Sequence, residues 1–214
     1  MKKVLALTIA LLLSLSTLAG CDESGKNNID SGNSSNHTAS SQREVIKASE
    51  LISKEDAEAL LGQDVEIHED IYEKSFIDQA RYNSDDKTLT IELWQEALHN
   101  KDSKFEKSLI QNGWSDYVKR MEDAYISYTK ADPENPDLVY IELEGTYGTY
   151  YLQQITLMGQ SLMQIFYGDY MITLYLSNYK SNSHVDSEDE KLWKREKLME
   201  IGDFAIERLK EIIE

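Results

Sequence analysis

The chain has 214 residues, of which 41% are hydrophobic and 29% are charged, and its formal net charge is −17. This acidic balance lacks the basic footprint that nucleic acids require, so we exclude a nucleic-acid partner. The length suits one ordinary domain with flanking segments. A single cysteine leaves no intrachain disulfide to staple the fold.

The first 20 residues have the pattern of a secretory signal peptide. Lys2 and Lys3 precede an uncharged run, residues 4–18, that is rich in Leu, Ala and Ile. A helix that spans a bilayer needs about 20 apolar residues, and this run is shorter. Its length is typical of the apolar region of a cleaved signal. We therefore expect residues 1–20 to be removed.

The apolar run ends in Leu18-Ala19-Gly20-Cys21, which resembles the lipobox of bacterial lipoproteins. The resemblance implies cleavage before Cys21, acylation of its sulfur, with palmitate among the expected chains, and a place on the extracytoplasmic face of the cell membrane. Each buried lipid CH₂ contributes roughly 0.8 kcal/mol, so two or three chains anchor a protein stably. The alternative is an ordinary signal peptide with a chance cysteine. Loss of residues 1–20 changes the formal charge from −17 to −19. Anionic head groups of the bilayer would repel so acidic a domain, so the acyl chains on Cys21 must hold it at the membrane.

The mature chain divides by composition into a tether and a domain. Residues 21–44 comprise the lipidated Cys21 and a Ser-, Asn- and Gly-rich stretch without hydrophobic pattern, which predicts disorder. A flexible linker of this length spans roughly 25 Å. Residues 45–214 are predicted to form a single α+β domain.

Helix signals appear three times in the domain. Ser53 is a good N-cap, and Gly62 is a good C-terminal stop. Capping boxes begin two further helices at Ser103 and Ser187. Gly113 lies in the middle of the first of these, where glycine disfavours a continuous helix. The predicted helices cover residues 53–62, 103–124 and 187–214.

Strand signals fill the segments between these helices. Apolar and polar residues alternate with a period of two, and turn residues at 84–87 and 168–169 separate neighbouring runs. Tight turns require antiparallel pairing. The sequence thus predicts α+β, an antiparallel sheet of about six to seven strands packed with helices. The predicted strands cover residues 65–72, 79–83, 88–95, 139–143, 147–157, 161–167 and 170–177.

Two segments carry a family resemblance. Residues 53–62 resemble the opening helix of several uncharacterised bacterial lipoprotein families, and residues 167–172 resemble their closing strand pair. Those families are similar to the Mog1/PsbP-like fold, an antiparallel sheet between helices. The Gly-Asp pair that often precedes their middle strand is replaced here by residues 144–149. The fold implies no common chemistry, so the resemblance assigns no site residue.

Signals for catalysis or metal binding are weak. His68 and Asp70 share one face of a strand and could together bind a metal, but a solvated strand face is the simpler interpretation. Gly159-Gln160-Ser161 lacks the second glycine of a nucleophile elbow. The loop with Asp132, Glu134, Asn135 and Asp137 lacks the glycine and final glutamate of a calcium loop. We therefore expect no cofactor, no metal site and no catalytic residue.

Tyrosine is concentrated in the second half of the domain, where 11 of the 13 lie between Tyr117 and Tyr179. Tyrosine favours strands and packs its ring while its hydroxyl stays hydrated, so packing is one interpretation. The alternative is an aromatic contact surface for a partner. The candidate partner-binding residues are Tyr147, Tyr151, Tyr167, Tyr170 and Tyr175.

The leading functional hypothesis is a membrane-anchored cell-envelope lipoprotein with a non-catalytic binding or accessory domain. Its partners would be the membrane, through the lipid on Cys21, and an envelope protein, peptide or glycan. One alternative is an envelope hydrolase with paired carboxylates, which need only lie about 5–10 Å apart. Another is a cation-binding acidic surface protein. Of these hypotheses, an enzyme is less favoured than a binding or accessory domain.

Overall fold

A computed structural model describes residues 44–71, 76–99, 103–131, 138–155, 158–178 and 185–214. These residues belong to one compact unit, Ser41–Glu214. The predicted signal peptide, Cys21 and almost all of the tether lie outside the described residues, as does the loop of residues 132–137. Within the described ranges, no helix is both long and apolar enough to cross a membrane.

Five α-helices and one short 3-10 helix, Glu96–Leu98, are described, and local capping explains where the second α-helix begins and ends. Ser53 accepts a hydrogen bond from the Asp56 amide at 3.1 Å, and the helix ends at Gly62, whose φ is 70°. Glycine adopts this left-handed conformation without steric cost. The helices are α1 Ala48–Leu51, α2 Lys54–Leu61, α3 Lys104–Leu109, α4 Trp114–Ala131 and α5 Glu188–Ile213.

The single helix predicted over residues 103–124 is wrong in the structure. Gly113 has φ 99° and donates its amide to the Ile110 carbonyl at 2.8 Å. This left-handed residue turns the chain between α3 and α4. The amphipathic spacing continued across the break because Leu109 and Ile110 before it pack against the same small core as Trp114, Tyr117 and Val118 after it.

The strands form one seven-stranded sheet in which every neighbouring pair is antiparallel. The order across the sheet is β1-β2-β3-β7-β6-β5-β4. This confirms the predicted α+β class with an antiparallel sheet. The strands are β1 Glu66–Ile71, β2 Ile77–Asn83, β3 Lys87–Trp94, β4 Leu138–Gly145, β5 Gly148–Ile155, β6 Gln160–Tyr167 and β7 Tyr170–Asn178.

The main core lies between one face of the sheet and helices α1, α2 and α5. Alternate residues of the central strands fill it, and Gly202 lets α5 approach closely. A Cβ at Gly202 would meet Ile165 Cδ1 at 2.7 Å. The strand residues fully buried here are Ala80, Tyr82, Leu89, Ile91, Leu93, Tyr150, Met163, Ile165, Ile172, Leu174 and Leu176.

A second, smaller core covers one end of the opposite sheet face. Trp114, Tyr117 and Val118 of α4 pack there with Phe76 and Met171. The Phe76 and Trp114 rings lie 4.9 Å apart, centroid to centroid. Because the small core covers only this end, polar strand residues occupy the sheet face beyond it.

Candidate functional site

Polar side chains cross the sheet in a row on the face that carries the smaller core. The strand register places Gln79 of β2 opposite Glu92 of β3 and Glu92 opposite Thr173 of β7. The row continues through Gln164 of β6 to Tyr151 of β5. Cross-strand partners project from the same face, so these five residues line up as neighbours. We call them the polar row.

Where the polar row crosses β2 and β3, the same sheet face forms a shallow depression of about 470 Å³. All nine of the described residues that line it belong to strands, and every one of them is polar. We call this site the polar depression. It is lined by Gln79, Arg81, Asn83, Thr88, Thr90, Glu92, Gln160, Tyr175 and Ser177.

Glu92 lies at the floor of the polar depression. Gln79 Nε2 donates to Glu92 Oε1 at 2.9 Å, and the Tyr175 hydroxyl lies 3.5 Å from Oε2. Burial raises the pKa of the Glu92 carboxyl, and these hydrogen bonds oppose the rise. Arg81 is exposed at the rim, opposite Thr90. One carboxyl and one guanidinium therefore share a site that otherwise offers amides and hydroxyls.

Glu92 is the single carboxyl among the described residues of the polar depression. Hydrolysis by paired carboxylates needs an acid and a second carboxylate on opposite sides of the bond. The polar depression thus supplies half of that arrangement.

The polar row is internally bonded between β7 and β6. The Thr173 hydroxyl donates to Gln164 Oε1 at 2.7 Å, and both side chains are buried. Burial raises the pKa of Tyr151 to about 12, and the carboxylates of Glu122 and Glu142 add to the rise. A buried polar row costs stability unless its members satisfy one another. The hydrogen bond between Thr173 and Gln164 therefore fixes the orientation of these two side chains beside the depression.

The five candidate tyrosines do not share one surface. Tyr175 lines the polar depression, while Tyr151 is buried beneath α4 against Phe166 and Tyr125. Tyr167 and Tyr170 are cross-strand partners at the β6–β7 turn, on the sheet face that carries the main core. Tyr147 packs against that core from the β4–β5 turn, with Lys210 Nζ 5.0 Å from its ring centroid.

The other candidates from the sequence are not assembled into a site by the described residues. His68 is exposed on β1 opposite Arg81, and Ser161 is fully buried on the core face of β6. The described ranges contain no group of three His, Cys, Asp or Glu side chains that could hold a metal. The calcium-loop residues 132–137 lie outside the described residues.

The polar depression was missed at the level of the sequence, although its signal is present. Thr88, Thr90 and Glu92 alternate with residues of the main core along β3, and Arg81 and Asn83 do the same along β2. Each strand alone reads as half-solvated. Only the strand order brings β2, β3, β7 and β6 side by side.

In comparisons with known proteins, the chain matches no family model, no curated protein and no solved structure. Its function is therefore inferred from the residues described above.

Proposed function

We propose that the chain is a lipid-anchored, extracytoplasmic lipoprotein whose domain binds a neutral, hydroxyl-rich ligand in the polar depression. The observation that carries the binding proposal is a recess lined by nine polar strand residues and backed by a bonded polar row. The ligand class that fits best is a glycan of the cell envelope.

The anchor half of the proposal is supported by the sequence. Lys2 and Lys3, the apolar run and Cys21 follow one another in the order of a lipoprotein leader. Cys21 is the sole cysteine of the chain and falls at the position that the motif requires. The remaining chain carries a formal charge of −19 once residues 1–20 are lost. Acyl chains would hold it where anionic lipids repel it.

The ligand class is inferred from the side chains of the polar depression. Gln79, Asn83 and Gln160 offer amide donors and acceptors, and the threonines and Ser177 offer hydroxyls. Sugar hydroxyls both donate and accept, so this mixed set complements them. The Tyr175 ring adds an apolar surface beside its hydroxyl. A strongly charged ligand fits less well, because Arg81 and Glu92 offset each other.

The same features favour binding over catalysis. Gln79 holds the carboxyl of Glu92 at 2.9 Å, and no second carboxyl lines the described part of the recess. A shallow recess also leaves a ligand partly hydrated, which suits recognition through many weak hydrogen bonds. A Mog1/PsbP-like assignment of the fold belongs to the same proposal. It is supported by an antiparallel sheet with helices on both faces.

The test is a titration of the full chain, reconstituted in phosphatidylcholine vesicles, with short neutral oligosaccharides cut from cell-wall glycan. Saturable heat by calorimetry is the expected result. The variant Tyr175→Leu, which removes a ring and a hydroxyl from the recess, should weaken binding about tenfold. Asn83→Ala should weaken binding by a smaller factor, because it removes one hydrogen-bonding amide.

The matched control is Tyr147→Leu, since Tyr147 lies on the other side of the sheet. It should leave the affinity unchanged. Absence of saturable binding to every oligosaccharide tested would contradict the ligand class. Equal loss in Tyr175→Leu and Tyr147→Leu would show that the polar depression is not the site.

A further inference from the structure

A second recess, of about 560 Å³, lies between the start of the domain, the β6–β7 turn and the end of α5. We call it the acidic groove. It shares no lining residue with the polar depression. Its walls are Glu44, Val45, Ile46, Glu50, Tyr167, Gly168, Asp169, Tyr170, Ile212 and Ile213.

The acidic groove concentrates exposed apolar surface. Val45, Ile212 and Ile213 are 39%, 42% and 43% exposed, and they are three of the eight large apolar side chains exposed among the described residues. The rings of Tyr167 and Tyr170 continue the same wall. Single exposed apolar residues are ordinary, but several that converge on one recess mark an interaction site.

The charged residues in the described lining of the acidic groove are all acidic. Glu44, Glu50 and Asp169 line it, and the described lining includes no lysine, arginine or histidine. An apolar recess with three acidic side chains complements a ligand that combines apolar groups with positive charge. The acidic groups would steer such a ligand and fix its orientation, while the apolar wall would supply affinity.

The walls of the acidic groove are held in place from within the domain. Gln95 accepts from the Ile46 amide at 2.9 Å and donates to the Ile46 carbonyl at 2.6 Å. On the other wall, Trp114 Nε1 donates to the Asp169 carbonyl at 2.5 Å, and the Ser115 hydroxyl donates to its carboxylate at 2.6 Å. A recess fixed this way loses little freedom when it binds.

We propose that the acidic groove binds a segment of a partner protein in which apolar side chains are flanked by lysine or arginine. A bilayer surface fits less well, because anionic head groups would be repelled by Glu44, Glu50 and Asp169. The chain's own tether also fits poorly. Ile29 is the single large apolar residue between residues 22 and 43. The proposal stands independently of the ligand of the polar depression.

The probe is a synthetic peptide in which leucine pairs alternate with lysine pairs, titrated against the full chain in phosphatidylcholine vesicles. Empty vesicles provide the blank. Saturable binding is expected, and the double variant Ile212→Ser/Ile213→Ser should weaken it about tenfold, because two apolar contacts are lost. The double variant Glu44→Gln/Glu50→Gln should weaken it several-fold and flatten its dependence on salt.

Matched controls lie at the other end of the molecule. Leu192→Ser removes a comparably exposed apolar residue from the start of α5, and Glu66→Gln removes an exposed acid from β1. Both should bind the peptide as the unmodified chain does. The proposal is overturned if no saturable binding occurs, if glutamate in place of lysine in the peptide leaves binding unchanged, or if the controls lose affinity equally. If Ile212 and Ile213 insert into the bilayer when anionic lipid is added to the vesicles, the proposal is overturned in favour of a membrane surface.

Discussion

Lys194 and Asp186 form a buried ion pair in which Nζ lies 2.7 Å from Oδ2 and 2.8 Å from Oδ1. Their side chains are 1% and 2% exposed. Lys194 Nζ also donates to the Gly159 carbonyl at 2.6 Å. The ammonium thereby joins α5 to the β5–β6 turn and to the segment that precedes the helix, at the end of α5 opposite the acidic groove.

Breaking this pair from one side should destabilise the domain severely. Asp186→Asn leaves the buried ammonium uncompensated, so we expect a loss of about 3–5 kcal/mol in the free energy of unfolding. The double variant Lys194→Met/Asp186→Leu should lose less of the free energy of unfolding than Asp186→Asn does. Chemical denaturation measures both. The exposed pair Lys191–Glu188 is the control, and Glu188→Gln should cost under about 0.5 kcal/mol. Equal effects at the two pairs would contradict this account.

Asp78 predicts a pH dependence of stability. Burial raises the pKa of its carboxyl above the ordinary value of 3.8, against the hydrogen bond from the Ala48 amide at 2.6 Å. A raised pKa means that the folded state prefers the protonated form. The stability from Asp78 is therefore complete below about pH 3.8 and is lost as pH rises through the folded pKa.

Asp78→Asn mimics the protonated form and keeps the oxygen that accepts from Ala48. Its stability relative to the unmodified chain should therefore increase between pH 4 and pH 7, roughly in step with the pKa rise at about 1.4 kcal/mol per unit. Denaturation curves at several pH values give this difference. A constant difference across the range would show that the carboxyl has the same pKa in the folded and unfolded states, and would contradict the rise.

Gln95 should control the order of the segment that forms one wall of the acidic groove. Gln95→Ala leaves the buried amide and carbonyl of Ile46 without these partners, which should cost about 1–3 kcal/mol. Hydrogen exchange at Ile46 should accelerate more than at Leu174 in the central strand. Gln153→Ala is the control, because Gln153 is half-buried and bonds the Tyr140 hydroxyl at 3.2 Å. Unchanged exchange at Ile46 would contradict the role of Gln95.

Gly202→Ala tests how closely α5 sits on the sheet. Alanine gains about 1 kcal/mol of helix propensity over glycine. At this position, however, its Cβ would lie 2.7 Å from Ile165 Cδ1, in a side chain with no exposed surface. Overpacking of this kind costs about 1–3 kcal/mol, so the net effect should be neutral to destabilising. A melting temperature raised by several degrees would show that the core relaxes freely there.

Local signals in the sequence predicted local structure well. Ser53 and Ser187 cap helices as expected, and each also donates its backbone amide to the carboxylate three residues on. Gly113 shows the limit of such signals. The apolar spacing around it reflects a shared core and continues across a break in the backbone, so spacing alone could not distinguish one helix from two.

The candidate sites depended on strand order, which the sequence did not reveal. Tyrosines near each other in the chain were separated by the pleat, which sends Tyr150 into the main core and Tyr151 beneath α4. The acidic groove joins Val45, Tyr170 and Ile213, which lie far apart in sequence. The spacing of apolar residues within one helix or strand cannot predict contacts between residues so far apart in the chain.

The most direct test of the proposed lipoprotein is mass spectrometry of the protein extracted from its native membranes. The proposal predicts a chain that begins at Cys21 and carries acyl groups on that residue. The domain should then stay with the membrane fraction after high-salt washing, since its attachment is not electrostatic. A chain that retains residues 1–20, or a Cys21 without acyl groups, would contradict the anchor and with it the extracytoplasmic site of action.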